Sequence, residues 1–489
     1  MAINTNEIQL NFCVEDSEGT LAGTETWYLI EPNDLSDWGA SISTVTRNPI
    51  SQDRMDKKGT VSDLDSTTGF TSVFTISEFN NFVDGFLFST WHEQPKAEYT
   101  ETDTSSFTHP ALSSALAEGD LIYARNSSYT ANNGLFVVDS GATTTNTPVT
   151  ATLSADSSPA NGARFDFVGV QGSAGDITMD SDGNLETTTL DFTGYDLYVG
   201  QAVYVGGTDT DTSFGTSGKG FGRISNIAAN KLSLTKVPDS FGADDGSGKT
   251  IQLFFGSFIK NVGLSDSDFQ ELTYQIEAKY PDLYGTGSDG YQYATGQRPD
   301  SVTFNLPLTD KGTIDWGFVG LDTEEVTDTR VSTSGTQDTE QYDDDALNTT
   351  SDFARLTFED DEGSAVGTYF KSVNLTINNN ISPEKVLGQL GAAVMNIGDF
   401  NVSMSTEVLF TSEIVLNAVR NNETLSLDFA VSNDDGCIYC DIPAMTLGNS
   451  NMNLPRNETV KISVDGNLFK SDALGYVLSF TKFAHIPGL

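Results

Sequence analysis

The sequence is short of positive charge. Its 489 residues include 25 Lys and Arg against 69 Asp and Glu, which gives a formal net charge of −44. Proteins that wrap DNA neutralise its phosphates with Lys and Arg, so this balance argues against that mode of binding. A surface that repels nucleic acid, adaptation to salt water and simple solubility all fit the composition.

Long apolar runs and cysteines are also scarce. No run of 18 apolar residues occurs, which argues against a membrane-spanning helix. The segment 1–7 lacks the basic and apolar stretches of a signal peptide. The three cysteines fit a reducing compartment. We therefore expect a protein made in a cytoplasm, not exported by that route and without a membrane partner.

The sequence contains no convincing catalytic or metal-binding motif. Gly242–Thr250 is similar to a phosphate-binding loop, but Ala243 replaces a required Gly and a strand-like run follows, so we expect a hairpin turn. Cys437 and Cys440 have redox-motif spacing, but in a strand they would point to opposite faces. Asp180–Asn184 fits a calcium loop only in part, which leaves an acidic turn or an incidental cation. We expect no enzyme activity, no catalytic residues, no metal and no cofactor.

An internal repeat is the most informative feature that the sequence does have. Each copy has a polar stretch ending in Ile-Ser, a glycine, a helix-like segment that begins with Ser-Glu, an alternating strand and a closing strand. These are Arg47–Ser51, Gly59, Ser77–Phe79, Leu272–Ala278 and Val302–Leu306 in the first copy, and Asn378–Ser382, Gly391, Ser412–Ile414, Leu425–Val431 and Val460–Val464 in the second. The spacing between copies shrinks after the helix, so the first copy carries an insertion of about 177 residues.

The repeat divides the chain into four parts. The first unit is discontinuous, 1–92 with 270–321, and the second is 354–489. Between them lies an acidic segment, 322–353, which reads as a solvated linker or an arm that becomes ordered on assembly. The insertion, 93–269, reads as all-β, with modules at about 115–170 and 190–260.

Each unit is predicted to contain one helix. In the first, apolar residues at helical spacing predict a helix over 77–91 with Ser77 as its N-cap. In the second, a helix is predicted from Ser412 to Asn421. Its inward-facing residues are expected to be Ile414, Val415, Ala418 and Val419.

Two stretches resemble a known family. They are Arg47–Ser51 with Arg54, Lys57–Gly59 and Gly69-Phe70, and Asn379–Phe410 with its Gly388–Gly391 and Gly398–Phe400 motifs. Both resemble the tail tube proteins of long, non-contractile-tailed bacteriophages, and the resemblance covers both units but not the insertion. It implies a mainly β fold: two tandem β-sandwich or split-barrel domains, each with one flanking helix, plus the inserted pair of small β-barrel-like modules.

The resemblance also implies a structural role in the virion. Chains with two such domains would form homotrimeric, pseudo-hexameric rings that stack into a tube, which conducts DNA from capsid to host without binding it specifically. The tape measure protein and the tail terminator and baseplate proteins are the expected partners. The alternatives are another tail ring component, such as a terminator or baseplate ring, and a β-rich surface adhesin or carbohydrate-binding protein.

Two long polar loops, Arg47–Gly69 and Asn378–Gly398, are the expected contacts between subunits or rings. The candidate contact residues are Arg47, Asn48, Pro49, Ile50, Arg54, Lys57, Lys58, Asn379, Ile381, Leu387 and Leu390. The insertion is expected to face outward, because an insertion in every other domain would block the lumen if it pointed inward.

Overall fold

The computed structural model describes residues 3–21, 23, 25–47, 50, 52, 55–215, 218–238, 240–285, 287–331, 344–349, 351–360, 369–410, 413–454 and 456–487. These residues form 31 strands and two α-helices, so the chain is mainly β as predicted. Short 3-10 helices lie at Thr5–Glu7, Thr130–Asn132, Phe192–Gly194 and Thr210–Thr212.

The strands fall into two sandwiches and an insertion. The first sandwich begins with β1 (Gln9–Val14), β2 (Tyr28–Ile30), β3 (Pro32–Arg47), β4 (Lys57–Val73) and α1 (Ile76–Leu87). The insertion contains β5 (Lys96–Glu98), β6 (Glu101–Thr102), β7 (Ser106–Thr108), β8 (Asp120–Arg125), β9 (Gly134–Val137), β10 (Asn146–Pro148), β11 (Arg164–Gln171), β12 (Thr178–Met179), β13 (Leu185–Glu186), β14 (Ala202–Val205), β15 (Gly220–Ala228), β16 (Lys231–Thr235), β17 (Gln252–Phe255) and β18 (Ser257–Lys260).

After the insertion the chain returns to the first sandwich and then builds the second. The first is completed by β19 (Tyr274–Gly285), β20 (Ser288–Leu306), β21 (Thr313–Gly320) and β22 (Asp322–Thr323). The second contains β23 (Phe353–Asp360), β24 (Phe370–Asn378), β25 (Ser382–Glu384), β26 (Val394–Asn396), β27 (Asn401–Leu409), α2 (Ile414–Asn421), β28 (Thr424–Asn433), β29 (Gly436–Asn453), β30 (Lys461–Leu468) and β31 (Ser479–Phe483).

The two sandwiches have the same order of strand pairing. In the first, the antiparallel order is β1–β19–β20–β21–β4–β3. In the second it is β23–β28–β29–β30–β27–β24. A helix follows β4 in one and β27 in the other. Each strand on one path thus has a counterpart on the other.

The pairing order corrects one segment of the sequence repeat. Val302–Leu306 lies on β20, whose counterpart is β29, whereas Ile462 lies on β30, whose counterpart is β21. The predicted match between these two closing strands is therefore wrong. Neighbouring strands both alternate polar and apolar residues, so periodicity alone does not tell them apart.

The hairpins that precede the two helices differ in length. β3 and β4 have 16 and 17 residues, whereas β24 and β27 have 9 each. Most of the predicted loop Arg47–Gly69 is therefore strand, because β4 begins at Lys57. Arg47 lies near the tip of a long β3–β4 arm that is exposed over residues 41–47, whereas Asn378 ends a strand inside the sheet.

Helix α1 fills the core of the first sandwich. The Thr75 hydroxyl, rather than Ser77, caps it by accepting the Glu78 N–H at 3.2 Å, and the left-handed Phe88 ends it before residue 91. Its buried apolar residues are Phe79, Phe82, Val83, Phe86 and Leu87. At Gly85 a Cβ atom would lie 2.5 Å from the Tyr274 hydroxyl oxygen, which explains the glycine there.

Helix α2 is shorter and less buried. It begins at Ile414, and Ser412 lies outside the described residues. Val415 and Ala418 are buried as predicted, and Val419 packs partly against the core. Ile414 was also predicted to face inward, but it is the first residue of the helix and is 41% exposed.

The insertion has one main sheet rather than two separate modules. Its strand order is β12–β13–β16–β15–β14–β17–β11–β8–β9, with β5 added to β11. The pairing of β11 with β17 joins the strands of the two predicted modules, which also share one apolar core containing Ile122, Phe165, Val203 and Leu253. This pairing spans about 80 residues, and local turn patterns do not reveal it.

The acidic segment is attached at both ends. In its first part, Arg330 donates two hydrogen bonds of 2.8 Å to the buried carboxylate of Glu277 in β19. Near its end, Leu347 is buried in the main core and its N–H donates to the carbonyl oxygen of Phe74, directly after β4. Residues 332–343 and 350, which belong to the predicted linker, lie outside the described residues.

Candidate functional site

A strand junction joins the two sandwiches into one 16-stranded sheet. Ser301–Leu306 of β20 pairs antiparallel with Val373–Asn378 of β24, in six consecutive residue pairs. The hydroxyl oxygens of Thr303 and Thr376 lie 3.0 Å apart across this junction. Two sandwiches of this kind therefore associate by pairing strands edge to edge.

The loop after β24 adds a second contact to the junction. Asn379 is 1% exposed, and its Nδ2 donates to the carbonyl oxygens of Phe86 and Pro299 at 3.1 Å each. The buried Ile381 donates its N–H to Asp300 Oδ1 at 2.8 Å. Both residues were candidate contacts between subunits, but they are buried against the first sandwich of their own chain.

A charged contact extends this loop onto β4. Lys385 Nζ lies 2.6 Å from Asp63 Oδ1 and 2.5 Å from Asp65 Oδ1. The hydrogen bond from Lys385 lowers the pKa of Asp63, and the bonds to Asp63 and Asp65 raise the pKa of Lys385. Burial raises the pKa of Asp300, although the N–H of Ile381 opposes that shift.

The other candidate contacts lie at exposed loop tips. Ile50 and Leu387 are fully exposed, and Leu390 is 47% exposed. Arg47, Lys57 and Lys58 lie on the exposed β3–β4 arm. Asn48, Pro49 and Arg54 lie outside the described residues.

One face of the sheet is polar and continues across the junction. In antiparallel strands, paired residues share a face, so the registers define rows of neighbouring side chains. One row runs Thr71, Asp315, Thr303, Thr376, Ser403 and Asn467, and the next runs Val73, Thr313, Asn305, Asn374, Ser405 and Asp465. We call this surface the polar face.

The opposite face of the same strands is the core. Phe70, Trp316, Val302, Ile377 and Val402 form one apolar row there, and each is at most 5% exposed. Each strand therefore has one buried apolar side and one side made mostly of hydroxyl, amide and carboxylate groups. The polar face was not predicted, although Ser, Thr and Asn at alternate positions of β24 and β27 were a signal for it in the sequence.

Two cations near the polar face are paired with one carboxylate. Lys371 Nζ and Lys461 Nζ lie 4.0 Å and 3.9 Å from Glu407 Oε2. Asp315 accepts hydrogen bonds from Thr71 Oγ1 at 2.6 Å and from Asn305 Nδ2 at 2.7 Å. A surface of this kind offers little attraction to phosphate groups.

Two of the motifs considered in the sequence have different outcomes. Strand β17 follows Gly242–Thr250 but pairs with β11 and β14 rather than with β16, so the predicted hairpin turn is wrong. Cys437 and Cys440 are buried in different apolar clusters on the two faces of β29, as predicted for a strand. Among the described residues, no group of three or more His, Cys, Asp or Glu is placed to hold a metal ion. None of the helices in the described part of the chain has the length and apolar character needed to cross a membrane.

Two β-sandwiches that share one sheet, with a polar face running through the junction, define a β-rich structural protein whose domains join edge to edge. Residues 237–467 match the family model described as "Phage tail tube protein". This match, over a little under half of the chain, supports a bacteriophage tail tube protein, and the family implies a component of the virion tail. For the matched residues this confirms the resemblance to tail tube proteins.

The matched range includes the junction and the loop after β24. It begins within the insertion, before β17, and ends on β30. The motif at Asn379–Phe410 lies inside it, whereas Arg47–Gly69 lies outside. No curated protein sequence matches the chain.

Proposed function

We propose that the chain is the major tail tube subunit of a siphophage, and that three chains form a ring of six equivalent domains. Two observations support this: the sandwiches have the same pairing order, and they already associate edge to edge within one chain. A single chain would then be one third of a closed ring. Closure would remove the unpaired strand edges that otherwise invite aggregation.

The junction suggests how neighbouring chains meet. In the described residues, Gly448–Asn453 of β29 pairs with β30 on one side and has no strand on the other, and β3 pairs only with β4. These are the counterparts of the β20 and β24 segments that form the junction. We propose that β3 of one chain pairs with β29 of the next, as β24 pairs with β20.

This pairing predicts a covalent trimer from an engineered disulfide. A chain carrying Asn451→Cys and Ser41→Cys, or Asn451→Cys and Asp37→Cys, should give on oxidation a ladder that ends at three chains. Positions 37 and 41 share one face of β3, so the two variants sample the local register. The native cysteines are buried and should not compete. Non-reducing gels measure the ladder, and electron microscopy of the same sample should show tubes with threefold top views.

The control is Asn451→Cys with Ile42→Cys, which places the second thiol on the opposite face of β3. It should cross-link poorly although the tubes are intact. Six chains per ring, or a ladder that passes three chains, would refute the trimeric ring.

We propose that the polar face lines the lumen and that DNA passes along it without specific binding. The uninterrupted rows across the junction are the observation that carries this proposal. The insertion covers strands β28, β29 and β31 on the side away from the main core. That arrangement favours an outward-facing insertion, with three projections per ring.

Adding cations to the polar face should make the tube bind DNA. Thr376 and Ser403 are paired neighbours in one row, so Thr376→Lys with Ser403→Lys places two adjacent charges there in every chain. We expect a short labelled duplex to sediment with the variant tubes at low salt and to be released as salt rises, because phosphate contacts release counterions. Tubes carrying Thr376→Gln and Ser403→Gln are the matched control and should not retain DNA. Equal retention by lysine and glutamine tubes would contradict a lumenal position.

We further propose that the β3–β4 arm and the loop around Leu387 and Leu390 contact the next ring or a neighbouring subunit. Their exposed apolar tips, Ile50 and Leu387, support such a role. The tape measure, terminator and baseplate proteins would be the other partners, and assembly would take place in the host cytoplasm. The role proposed is structural rather than enzymatic.

A further inference from the structure

The insertion packs on the second sandwich of its own chain, although both of its ends connect to the first. Ala430, Cys437, Tyr439 and Phe483 are at most 1% exposed, and they share an apolar cluster with insertion residues that include Phe221. The ring of Phe221 lies 5.3 Å from that of Tyr439 and 5.8 Å from that of Phe483. The covered face is therefore a second apolar interface, separate from the main core.

Buried ion pairs cross the same interface. Arg223 Nη1 lies 3.2 Å from Asp441 Oδ1, and the Asp441 side chain is 1% exposed. The Tyr476 hydroxyl donates to the other oxygen of Asp441 at 2.8 Å. Lys236 of the insertion lies 3.1 Å from Asp428, which has no exposed side-chain surface. Buried charges need such partners, so the two surfaces are matched to each other.

Backbone contacts complete the attachment. Strand β18 pairs with β31 over four residue pairs. Arg125 donates to the carbonyl oxygens of Ala484, at 2.6 Å, and Asp435, at 3.1 Å. The N–H of Ala202 donates to Thr481 Oγ1 at 3.0 Å. The insertion is thus fixed by apolar contacts, ion pairs and strand pairing at once.

The junction and the insertion hold the two sandwiches together at different places. The junction is one six-pair ladder with a loop contact, and on the core side the ring of Phe480 in β31 packs against those of Phe79 and Phe304 in the first sandwich, at 5.0 and 5.9 Å. The insertion interface lies on the far side of the second sandwich from the polar face. We propose that the insertion is an intramolecular clamp that holds the two sandwiches in one relative orientation in the free chain, before any ring forms. The clamp does not depend on the number of chains in a ring.

The labelling rate of the Cys437 thiol can report whether the insertion stays in place on the second sandwich. It lies beneath the insertion, whereas Cys440 lies in the main core and Cys13 in a cluster of the first sandwich. The test uses the unassembled full-length chain, a small thiol reagent, and peptide mass spectrometry to resolve the three labelling rates. Amide hydrogen exchange of β24 reports the junction in the same sample, and exchange of β8 reports the fold of the insertion.

Opening the interface should expose Cys437 selectively. In the double variant Phe221→Ala with Arg223→Gln, we expect Cys437 to be labelled at least tenfold faster than in the unaltered chain, with Cys13 and Cys440 unchanged. Amide hydrogen exchange of β24 should also become faster, because the insertion no longer stabilises the junction, whereas the amides of β8 should stay protected. Lys231→Gln is the charge-matched control: Lys231 pairs with Asp180 and Glu186 inside the insertion, so this variant should change neither reading.

A milder variant covers the case in which the double variant unfolds the insertion. Arg125→Gln removes two hydrogen bonds to the second sandwich and should raise Cys437 labelling and β24 exchange in the same direction. If Cys437 stays as protected as Cys440 in both variants, the insertion does not open as a unit and the clamp is refuted. If Cys437 becomes reactive while β24 exchange is unchanged, the insertion only covers the second sandwich, which also refutes the clamp.

Discussion

Replacing Phe82 by alanine should lower the free energy of unfolding by about 3–5 kcal/mol. The side chain has no exposed surface and lies at the centre of the first sandwich. Its ring contacts those of Phe12, Phe70, Tyr274, Trp316 and Phe318, with centroid distances of 4.4 to 5.8 Å. These partners belong to β1, β4, β19 and β21, so one side chain of α1 contacts four strands of the first sandwich. Alanine would leave a cavity that the surrounding strands fill only in part.

Urea unfolding followed by tryptophan fluorescence measures this loss. The control is Phe469→Ala, because Phe469 is 41% exposed and its truncation should cost less than about 1 kcal/mol. A loss below about 1.5 kcal/mol for Phe82→Ala would show that the packing of α1 against these four strands contributes little to stability.

Removing the carboxylate of Asp428 should destabilise the chain by a similar amount, about 3–5 kcal/mol. Asp428 is completely buried and pairs with Lys236 and Arg355, whose side chains are 5% and 12% exposed. In Asp428→Ala two cations would remain in a space with little access to water. The measurement is again the free energy of unfolding in urea.

The matched control for this variant is Glu186→Ala. Glu186 pairs with Lys231 at 2.8 Å but is 51% exposed, so its loss should cost no more than about 1 kcal/mol. Lys236 Nζ also lies 3.5 Å from Glu359 Oε2. Adding Lys236→Met, Arg355→Met and Glu359→Gln to Asp428→Ala should therefore recover much of the stability, because a buried ion cluster can be replaced by uncharged groups at little cost. A loss below about 1 kcal/mol for Asp428→Ala would contradict the buried cluster. So would a full loss that the combined variant does not recover.

Local patterns in the sequence predict the sandwiches well. The alternation in Leu272–Ala278 and Leu425–Val431 places β19 and β28 and shows that they are counterparts, because one side of each strand is buried. The helices are placed to within a few residues for the same reason. The first part of β4 was predicted as loop because residues 57–62 are exposed on both faces of the strand except at the half-buried Gly59, so no apolar alternation marks them as strand.

Long-range contacts explain what the sequence did not predict. The junction and the single sheet of the insertion depend on strand pairs far apart in the chain, which periodicity does not encode. Asn379 was predicted as a contact between subunits or rings because it lies in a long polar loop, yet it is buried and hydrogen-bonds the first sandwich of its own chain. In a chain with so few cations, Arg223, Lys236 and Arg355 flanking apolar strands were the available sign of buried partners.

The strand junction also determines how the chain responds to mechanical load. Hydrogen bonds of an antiparallel ladder lie perpendicular to the strands. A force applied along β20 and β24 therefore shears all six residue pairs of the junction at once, whereas a force across the strands would peel them apart one after another. Tension directed along these strands is shared by the whole ladder, so the joint between the sandwiches is strongest in that direction.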